Sequence, residues 1–93
     1  MIKTFRDKET EKIFNRTKSR KLPSDIQHLA RRKLIMLDAA TDLNSLRIPT
    51  GNRLEALKSN RKGQHSIRIN DQWRICFRWK AEDAYDVEIT DYH

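Results

Sequence analysis

The sequence predicts an α+β fold in which two N-terminal helices pack on one face of a mainly antiparallel, twisted sheet. Three observations lead to this prediction. Apolar residues in the first half recur with helical spacing, those in the second half alternate with polar residues as strands require, and the few Pro and Gly residues fall between these segments. Helices followed by consecutive strands are typical of α+β proteins. At 93 residues, we expect a single domain spanning residues 1–93, with a thin core.

The N-terminal segment predicts a short strand and a first helix. Residues 2–5 carry the strand pattern. The residues Thr10, Ile13, Phe14 and Thr17 then repeat with the i, i+3, i+4, i+7 spacing of one helix face. This helix is weakly amphipathic, so only a narrow stripe of it is expected to be buried.

The second helix has the clearest pattern in the chain. Ser24 follows Pro23 and precedes Gln27 by three residues, a capping-box pattern that predicts Ser24 as the helix cap. Arg31 and Arg32 lie outside the apolar stripe of this helix. The stripe predicted to face the sheet consists of Ile26, Leu29, Ala30, Leu34, Leu37 and Ala40.

The second half of the chain predicts four strands. Residues 42–52 lose periodicity and form a connection, after which residues 54–58 and 65–69 form strands around a basic loop, residues 59–64. Asn70 and Asp71 make a turn into the strongest strand, residues 73–79. A last strand is expected to place Tyr85, Val87 and Ile89 on the apolar side of the sheet.

The open face of the sheet is predicted to be cationic. Arg74 and Arg78 alternate with the large apolar residues of their strand, and Arg68 of the preceding strand shares their side. Guanidinium groups match phosphate oxygens and stabilise charge that develops on phosphorus, so this surface suits a phosphodiester. A solvated face whose arginines pair with Asp86 and Glu88 fits the same pattern. The apolar side chains that we expect in the core are Trp73, Ile75, Phe77 and Trp79.

Composition narrows the classes of partner and compartment. The chain has 20 Lys and Arg against 13 Asp and Glu, a net charge of +7, which favours a polyanionic partner without distinguishing RNA, DNA, a ribosome surface or an acidic protein. No apolar run approaches the ~20 residues of a membrane helix, and the charged start does not resemble a secretory signal. The single cysteine, Cys76, cannot form an internal disulfide, so a cytoplasmic location is expected. The spacing of His, Cys and Asp residues predicts no metal site.

The C-terminal residues Asp91, Tyr92 and His93 are the candidates for proton transfer. Cleavage of RNA by its own 2′-hydroxyl requires a base, an acid for the leaving oxygen and cations near phosphorus. A histidine titrates near neutral pH and Asp91 supplies a carboxylate, so the two residue types suit this chemistry. A frayed terminus has the same appearance in a sequence. His28 and His65 are weaker candidates, since histidines at such positions are more often incidental.

Several segments resemble the HigB toxins of the RelE superfamily, the plasmid-maintenance-killer group of bacterial toxin-antitoxin systems. The resemblance is carried by residues 1–5, 33–41, 52–58 and 63–77 and by the terminal Asp-Tyr-His, and it therefore covers nearly the whole chain. Within the group, the sequence is most similar to the chromosomal toxins called GraT. The resemblance implies a microbial-ribonuclease-like fold and a metal-independent, cofactor-free endoribonuclease that cuts mRNA in the ribosomal A site.

The same resemblance implies partners and site residues. The partner would be a HigA-type helix-turn-helix antitoxin, and DNA would be reached only through the complex with that antitoxin. The residues that match the catalytic positions are Asp91, Tyr92, His93, Arg74 and Lys58. Independently of the resemblance, the basic residues of the chain that are expected to contact RNA or the ribosome are Arg68, Arg78, Arg61, Lys62, Arg31 and Arg32.

One position departs from the family pattern. Glu55 stands where the family has a histidine three residues before the lysine that matches Lys58. Either the acid and base roles are distributed differently in this chain, or that histidine is dispensable. Two other functions remain open from the sequence: a basic module that blocks the ribosome without cutting RNA, and a DNA-binding component of a repressor complex, which the absence of a Gly-containing helix-turn-helix junction disfavours.

Overall fold

A computed structural model describes residues 1–91 and confirms the predicted α+β architecture. Two helices, α1 (Lys8–Phe14) and α2 (Ser24–Ala39), precede four strands, β1 (Glu55–Ala56), β2 (His65–Arg68), β3 (Trp73–Lys80) and β4 (Asp83–Asp91). The connections contain 3-10 turns at Leu43–Arg47, Thr50–Asn52 and Ser59–Arg61. The strands follow the order β1-β2-β3-β4, and each neighbouring pair is antiparallel. Within residues 1–91, no helix is long and apolar enough to cross a membrane.

The N-terminal segment lies along the outer edge of β4. Ile2 and Phe5 form isolated parallel bridges to Ala84 and Val87, so the predicted first strand is present only as these two contacts. Backbone hydrogen bonds such as Lys3 N to the Ala84 carbonyl at 2.8 Å hold the segment in place. The edge of β4 is thereby covered, which limits pairing of that edge with other chains.

Helix α1 begins at a side-chain cap and is tied to the sheet by a threonine. The Asp7 carboxylate accepts a hydrogen bond from the Thr10 backbone N–H at 2.7 Å, the usual role of an N-cap aspartate. The buried Thr10 hydroxyl accepts from the Ile89 N–H of β4 at 3.0 Å. The helix ends at Phe14, before Thr17, so the fourth residue of the predicted stripe lies outside it.

The start of α2 differs from the predicted capping box. Pro23 occupies the cap position and Ser24 is already the first helical residue, without a side-chain cap. The Gln27 amide instead accepts from the Ser19 N–H at 3.2 Å and donates to the carbonyls of Ser19 at 2.8 Å and Leu22 at 2.9 Å. Gln27 therefore ties the segment between α1 and α2 to the start of α2, and its side chain is not free to complete a capping box.

The inner face of α2 packs on β3 and β4. Ile26, Ala30, Leu34 and Leu37 are buried as predicted, and so is Ala40 at the end of the helix. The prediction for Leu29 is wrong, because this side chain is 39% exposed. The contact with the sheet is a narrow stripe with spacings of four and three residues, and Leu29 falls beside it, next to Met36 and Pro49.

The connection from α2 to β1 is held by a buried asparagine. The Asn52 side-chain amide donates to the Leu46 carbonyl at 3.1 Å and accepts from the Lys33 ammonium of α2. Burial lowers the pKa of Lys33. Because Asn52 is fully buried, these bonds satisfy polar groups that would otherwise cost free energy, and they position the next residue, Arg53.

A β-bulge in β4 changes which residues face the helices. Cys76 pairs with Glu88 but Arg78 pairs with Tyr85, so two residues of β4 stand opposite one of β3. Asp86 in the bulge has a positive φ of 52°. The prediction for Tyr85 is therefore wrong: it shares the side of Arg78, and Ala84 takes the buried position. The predicted core side chains Ile75, Phe77, Val87 and Ile89 are buried, with Trp73 and Trp79 packed against them.

Candidate active site

Arg74 is the most firmly held cation of the open sheet face. Its Nε donates to the Ser66 hydroxyl at 2.7 Å and its Nη2 donates to the Arg53 carbonyl at 2.7 Å. Ser66 is fully buried, and Arg53 adopts a left-handed conformation (φ 46°) at the end of a 3-10 turn. Only 11% of the Arg74 side chain is exposed, so the guanidinium has a fixed position and orientation.

Glu55 brings a carboxylate to this guanidinium. It lies opposite Ser66 in the β1–β2 register, on the open face, and its Oε1 is 3.7 Å from Arg74 Nη2. The Glu55 side chain is 51% exposed, so the ion pair is in contact with solvent and weak. The position where the chain departs from the family pattern is thus in direct contact with a predicted site residue.

Three clefts meet around Glu55 and Arg74. One of about 430 Å³ is lined by residues 55–61 and contains the exposed Lys58. A second of about 430 Å³ is lined by residues 53–55 and Arg74, and a third of about 280 Å³ adds Arg68 beside Arg53 and Arg74. Glu55 borders both the Lys58 cleft and the Arg74 cleft, so the predicted residues Lys58, Arg74 and Arg68 lie along one continuous surface.

The other arginines of the open face are paired with carboxylates. Arg68 binds Asp71, and Arg78 Nε lies 3.6 Å from the Asp86 carboxylate. The sequence left open whether Asp86 and Glu88 balance these arginines, and the pairing with Asp86 is present. Because such exposed pairs contribute at most ~1 kcal/mol, phosphate groups can replace the carboxylates.

Glu88 pairs with arginines that are remote in the sequence. Its Oε1 accepts from Arg61 Nη2 at 3.0 Å and from the Thr90 hydroxyl at 2.7 Å, and its Oε2 lies 3.3 Å from Arg6 Nε. Cys76, its neighbour on β3, is fully buried, and burial raises the pKa of the thiol. A protonated, buried thiol is a poor nucleophile, so Cys76 is a structural residue.

Asp91 ends β4 at the border of the described structure. It stands opposite Trp73 and accepts from the Gln72 side-chain amide at 3.0 Å. Arg74 stands opposite Thr90, so Asp91 and Arg74 belong to opposite sides of the β3–β4 ladder, and Asp91 lines none of the three clefts. The predicted site residues Tyr92 and His93 lie outside the described residues.

The remaining predicted contacts lie elsewhere. Arg31 and Arg32 belong to α2, on the other side of the sheet from Arg74, and line two separate grooves. Lys62 is exposed at the end of the Ser59–Arg61 turn. His65 faces the helix side and stacks on Phe77 at 6.1 Å; its Nδ1 is buried without a hydrogen-bond partner among residues 1–91, and burial lowers its pKa.

Acidic, His and Cys side chains are the ligands that a metal site would need. Among residues 1–91, no three such side chains come together in a way that could hold an ion. The described open face carries guanidinium, ammonium, carboxylate and hydroxyl groups.

Comparison with known proteins identifies the family. Residues 3–93 match the family model described as a RelE-like toxin of the type II toxin-antitoxin system HigB. The chain belongs to the HigB-like toxin family. It is 46% identical over 80 residues to Toxin HigB-1 of Vibrio cholerae, which covers 85% of this chain and 84% of that protein. It is 31% identical over 93 residues to Endoribonuclease HigB of Proteus vulgaris, over the full length of both.

Solved structures confirm the RelE-like fold of this HigB-like toxin. A YoeB-YefM complex from Staphylococcus aureus contains a chain that matches with a TM-score of 0.61 and 17% identity, covering 100% of this toxin and 98% of that chain. YafQ from E. coli matches with a TM-score of 0.56 and 13% identity, covering 98% of this toxin and 93% of that chain. At these identities, the likeness supports the fold and carries no residue roles.

Two contributors to the toxin's candidate site, Ser66 and Arg53, were missed from the sequence, and a third, Glu88, was assigned other partners than those it has. Ser66 could have been found, because strand alternation places it on the same side as Arg68. Arg53 acts through its backbone carbonyl, which its left-handed conformation directs at Arg74. A backbone contact of this kind cannot be predicted from a pattern of side chains. Glu88 was expected beside the strand arginines, whereas its partners come from the N-terminal segment and from the loop after β1.

Proposed function

We propose that this HigB-like toxin is an endoribonuclease that cleaves mRNA on the ribosome and thereby inhibits translation. The observation that carries the proposal is the guanidinium of Arg74, held by Ser66 and Arg53 where the clefts of the open face meet. Membership of the HigB-like family and the endoribonuclease name of the Proteus vulgaris relative support this class of reaction.

The proposed reaction is attack of a 2′-hydroxyl on the adjacent phosphate. A bond forms between the 2′-oxygen and phosphorus, and the bond from phosphorus to the 5′-oxygen breaks, which leaves a 2′,3′-cyclic phosphate and a 5′-hydroxyl. Arg74 and Lys58 stabilise the added negative charge on the phosphorane. Because fixed acceptors already orient Arg74, little reorganisation accompanies the reaction.

The proton transfers are assigned to the C-terminal tail. Asp91 or His93 takes the 2′-proton and the other donates to the 5′-oxygen, while Tyr92 orients the scissile phosphate or stacks on a base. Because Asp91 and Arg74 belong to opposite sides of the β3–β4 ladder, this assignment requires the phosphate to lie at the end of β4, where both sides can be reached. Glu55 balances the charge of Arg74 in the free toxin and gives way to the phosphate. The exposure of their ion pair keeps this exchange inexpensive.

The remaining basic side chains provide affinity. Arg68 lines a cleft of the open face, Arg78 shares the side of Arg74 on β3, and Lys62 is exposed after the Ser59–Arg61 turn; all three would contact RNA or the ribosome. A toxin-antitoxin family implies an antitoxin partner, which we propose to be a helix-turn-helix protein of the HigA type acting with the toxin in the cytoplasm. DNA would be contacted only through that antitoxin.

Primer extension on mRNA from a reconstituted translation system tests the proposal. The toxin should produce discrete mRNA ends only when ribosomes are present, with or without a chelator, and Arg74→Ala should abolish them. Arg47→Ala is the matched control, because Arg47 is an exposed arginine of the connection before β1. Inhibited translation without mRNA ends would contradict cleavage and support a toxin that only blocks the ribosome.

A further inference from the structure

The loop that carries Lys58 is buried at its two ends, Leu57 and Gln64, whereas the residues between them are exposed except for the half-buried Arg61. We call residues 57–64 the Lys58 loop. It follows β1, which is only two residues long, and is closed by the hydrogen bond from Leu57 N to the Gln64 carbonyl at 2.9 Å. Its internal bonds, such as Arg61 N to the Lys58 carbonyl at 3.1 Å, shape the turn without attaching it to the rest of the sheet. A short edge strand of this kind opens easily unless other contacts hold it.

The side chain of Arg61 supplies an attachment across the sheet. Its Nη1 donates to the Gln64 side chain at 3.1 Å and its Nη2 donates to Glu88 at 3.0 Å. The loop lies before β2, whereas Glu88 belongs to β4, so the arginine reaches over β2 and β3. Its guanidinium is therefore shared between an anchor inside the loop and an anchor on the most distant strand.

Glu88 is built to be a fixed anchor. Only 16% of its side chain is exposed, and both carboxylate oxygens are engaged, by Arg61 and Thr90 on one side and by Arg6 on the other. A carboxylate with two guanidinium partners and a hydroxyl donor has a fixed orientation. Strand β4 in turn has β3 on one side and the N-terminal segment on the other.

We propose that Glu88 is a positioning residue for RNA cleavage: through Arg61, it holds the Lys58 loop so that Lys58 faces the scissile phosphate. This inference rests on the proposed function, since it assigns Lys58 a role at the phosphate. Arg61 then has a structural role, because it links the Lys58 loop to Glu88. The sequence had instead predicted that Arg61 contacts RNA. A cation displaced by about 1 Å costs up to about a hundredfold in rate, so such a link matters to catalysis.

Cys76 provides an internal reporter of this contact. It is the single cysteine of the chain and stands between Ser66 and Glu88 in one cross-strand row on the open face. Arg61 binds Glu88, which is the neighbour of Cys76 in this row, and its guanidinium is close enough to interact electrostatically with the fully buried thiol. Release of Arg61 would uncover the thiol, which a disulfide reagent detects independently of any activity.

The first measurement is the rate at which dithionitrobenzoate modifies Cys76 in the folded toxin. Glu88→Gln should raise this rate at least about tenfold, because local opening exposes the thiol. Glu82→Gln is the matched control: it makes the same change in net charge in the exposed β3–β4 turn and should leave the rate unchanged. Arg61→Lys keeps the charge but cannot reach both anchors, so its rate should be intermediate, and it replaces Glu88→Gln if that variant does not fold.

The second measurement is the single-turnover rate of mRNA cleavage on saturating ribosomes. Glu88→Gln should lower this rate about tenfold to a hundredfold with little change in ribosome affinity. In a Lys58→Met background, the same change should have no further effect, because Glu88 acts through Lys58. Arg61→Lys should retain part of the lost rate.

The outcomes separate this inference from the proposed function. Two results overturn the positioning role. The first is a normal cleavage rate after Glu88→Gln. The second is an equal loss of cleavage rate on Glu88→Gln in the Lys58→Met background. If Glu88→Gln leaves the modification rate of Cys76 unchanged, Arg61 and Glu88 do not hold the loop. If the unaltered toxin does not cleave mRNA, the proposed function fails, whereas the modification rates still show whether Glu88 holds the loop.

Discussion

Replacement of Arg74 by lysine tests how the central guanidinium is held. The change keeps the positive charge and removes the planar fork that binds Ser66 through Nε and Arg53 through Nη2. An ammonium group at the end of the lysine side chain can reach one of these acceptors but not both. At least one strong hydrogen bond is therefore lost in a place where water has little access, because only 11% of Arg74 is exposed.

The expected magnitude follows from that single lost bond. A hydrogen bond with one charged partner contributes about 1.5–3 kcal/mol, so Arg74→Lys should lower the free energy of unfolding by about 2 kcal/mol. For a domain of this size, such a loss lowers Tm by about 10 °C. Arg78→Lys is the control on the same strand, and it should cost less than about 0.5 kcal/mol, since Arg78 is 49% exposed and pairs with Asp86 only at 3.6 Å.

Urea unfolding followed by tryptophan fluorescence measures both variants. Trp73 and Trp79 pack against the core, so their emission reports global unfolding. The cleavage rate of Arg74→Lys should fall as well, by about a hundredfold, if the oriented fork stabilises the phosphorane. Equal stability of Arg74→Lys and Arg78→Lys would refute the view that fixed acceptors hold Arg74, whatever the cleavage rates are.

Four further predictions address single features of the structure. Glu55→Gln should tighten binding of a short RNA and preserve cleavage, because it removes the carboxylate that competes with phosphate for Arg74; lost cleavage would instead assign Glu55 a part in the chemistry. Asn52→Ala should cost about 2–3 kcal/mol in urea unfolding, since it leaves the Leu46 carbonyl and Lys33 without their partner, whereas the exposed Asn60→Ala should be neutral. Burial lowers the pKa of His65, so the unfolded chain binds the proton at higher pH than the folded one. The contribution of His65 to the free energy of unfolding should be fully present above about pH 6.5 and decline below it. His65→Phe should flatten that decline, whereas His28→Gln should not. At the bulge, Asp86→Val should be less stable than Asp86→Gly by about 1 kcal/mol, because both lose the ion pair and only valine is strained at positive φ; equal Tm values would contradict this.

Most of the helix–sheet architecture could be predicted because it follows from hydrophobic periodicity. The buried stripe of α2 and the alternation in β3 each repeat often enough to define an element and its inner face. The errors occur where a single local event changes the geometry. Gln27 binds the preceding connector in place of a cap, and the bulge at Asp86 moves Tyr85 to the other side of the sheet.

The candidate site was predictable only in part, for a related physical reason. Alternation placed Arg68, Arg74 and Arg78 on one face, and the family resemblance added Lys58 and the C-terminal residues. Partners from distant parts of the chain could not be inferred, since no periodicity links Arg61 to Glu88 or the Arg53 carbonyl to Arg74. These contacts exist only after the loops have closed over the sheet.

The order of residues is enough to specify the fold class, the cationic side of the sheet and the toxin family, because each depends on a pattern that is repeated or extended along the chain. The organisation of that cationic side depends on the folded chain: Arg74 is oriented by Ser66 and Arg53, and Glu88 anchors the loop of Lys58. These contacts join residues that are far apart in the sequence, so they form only when packing brings separate loops and strands together, and no local pattern predicts them.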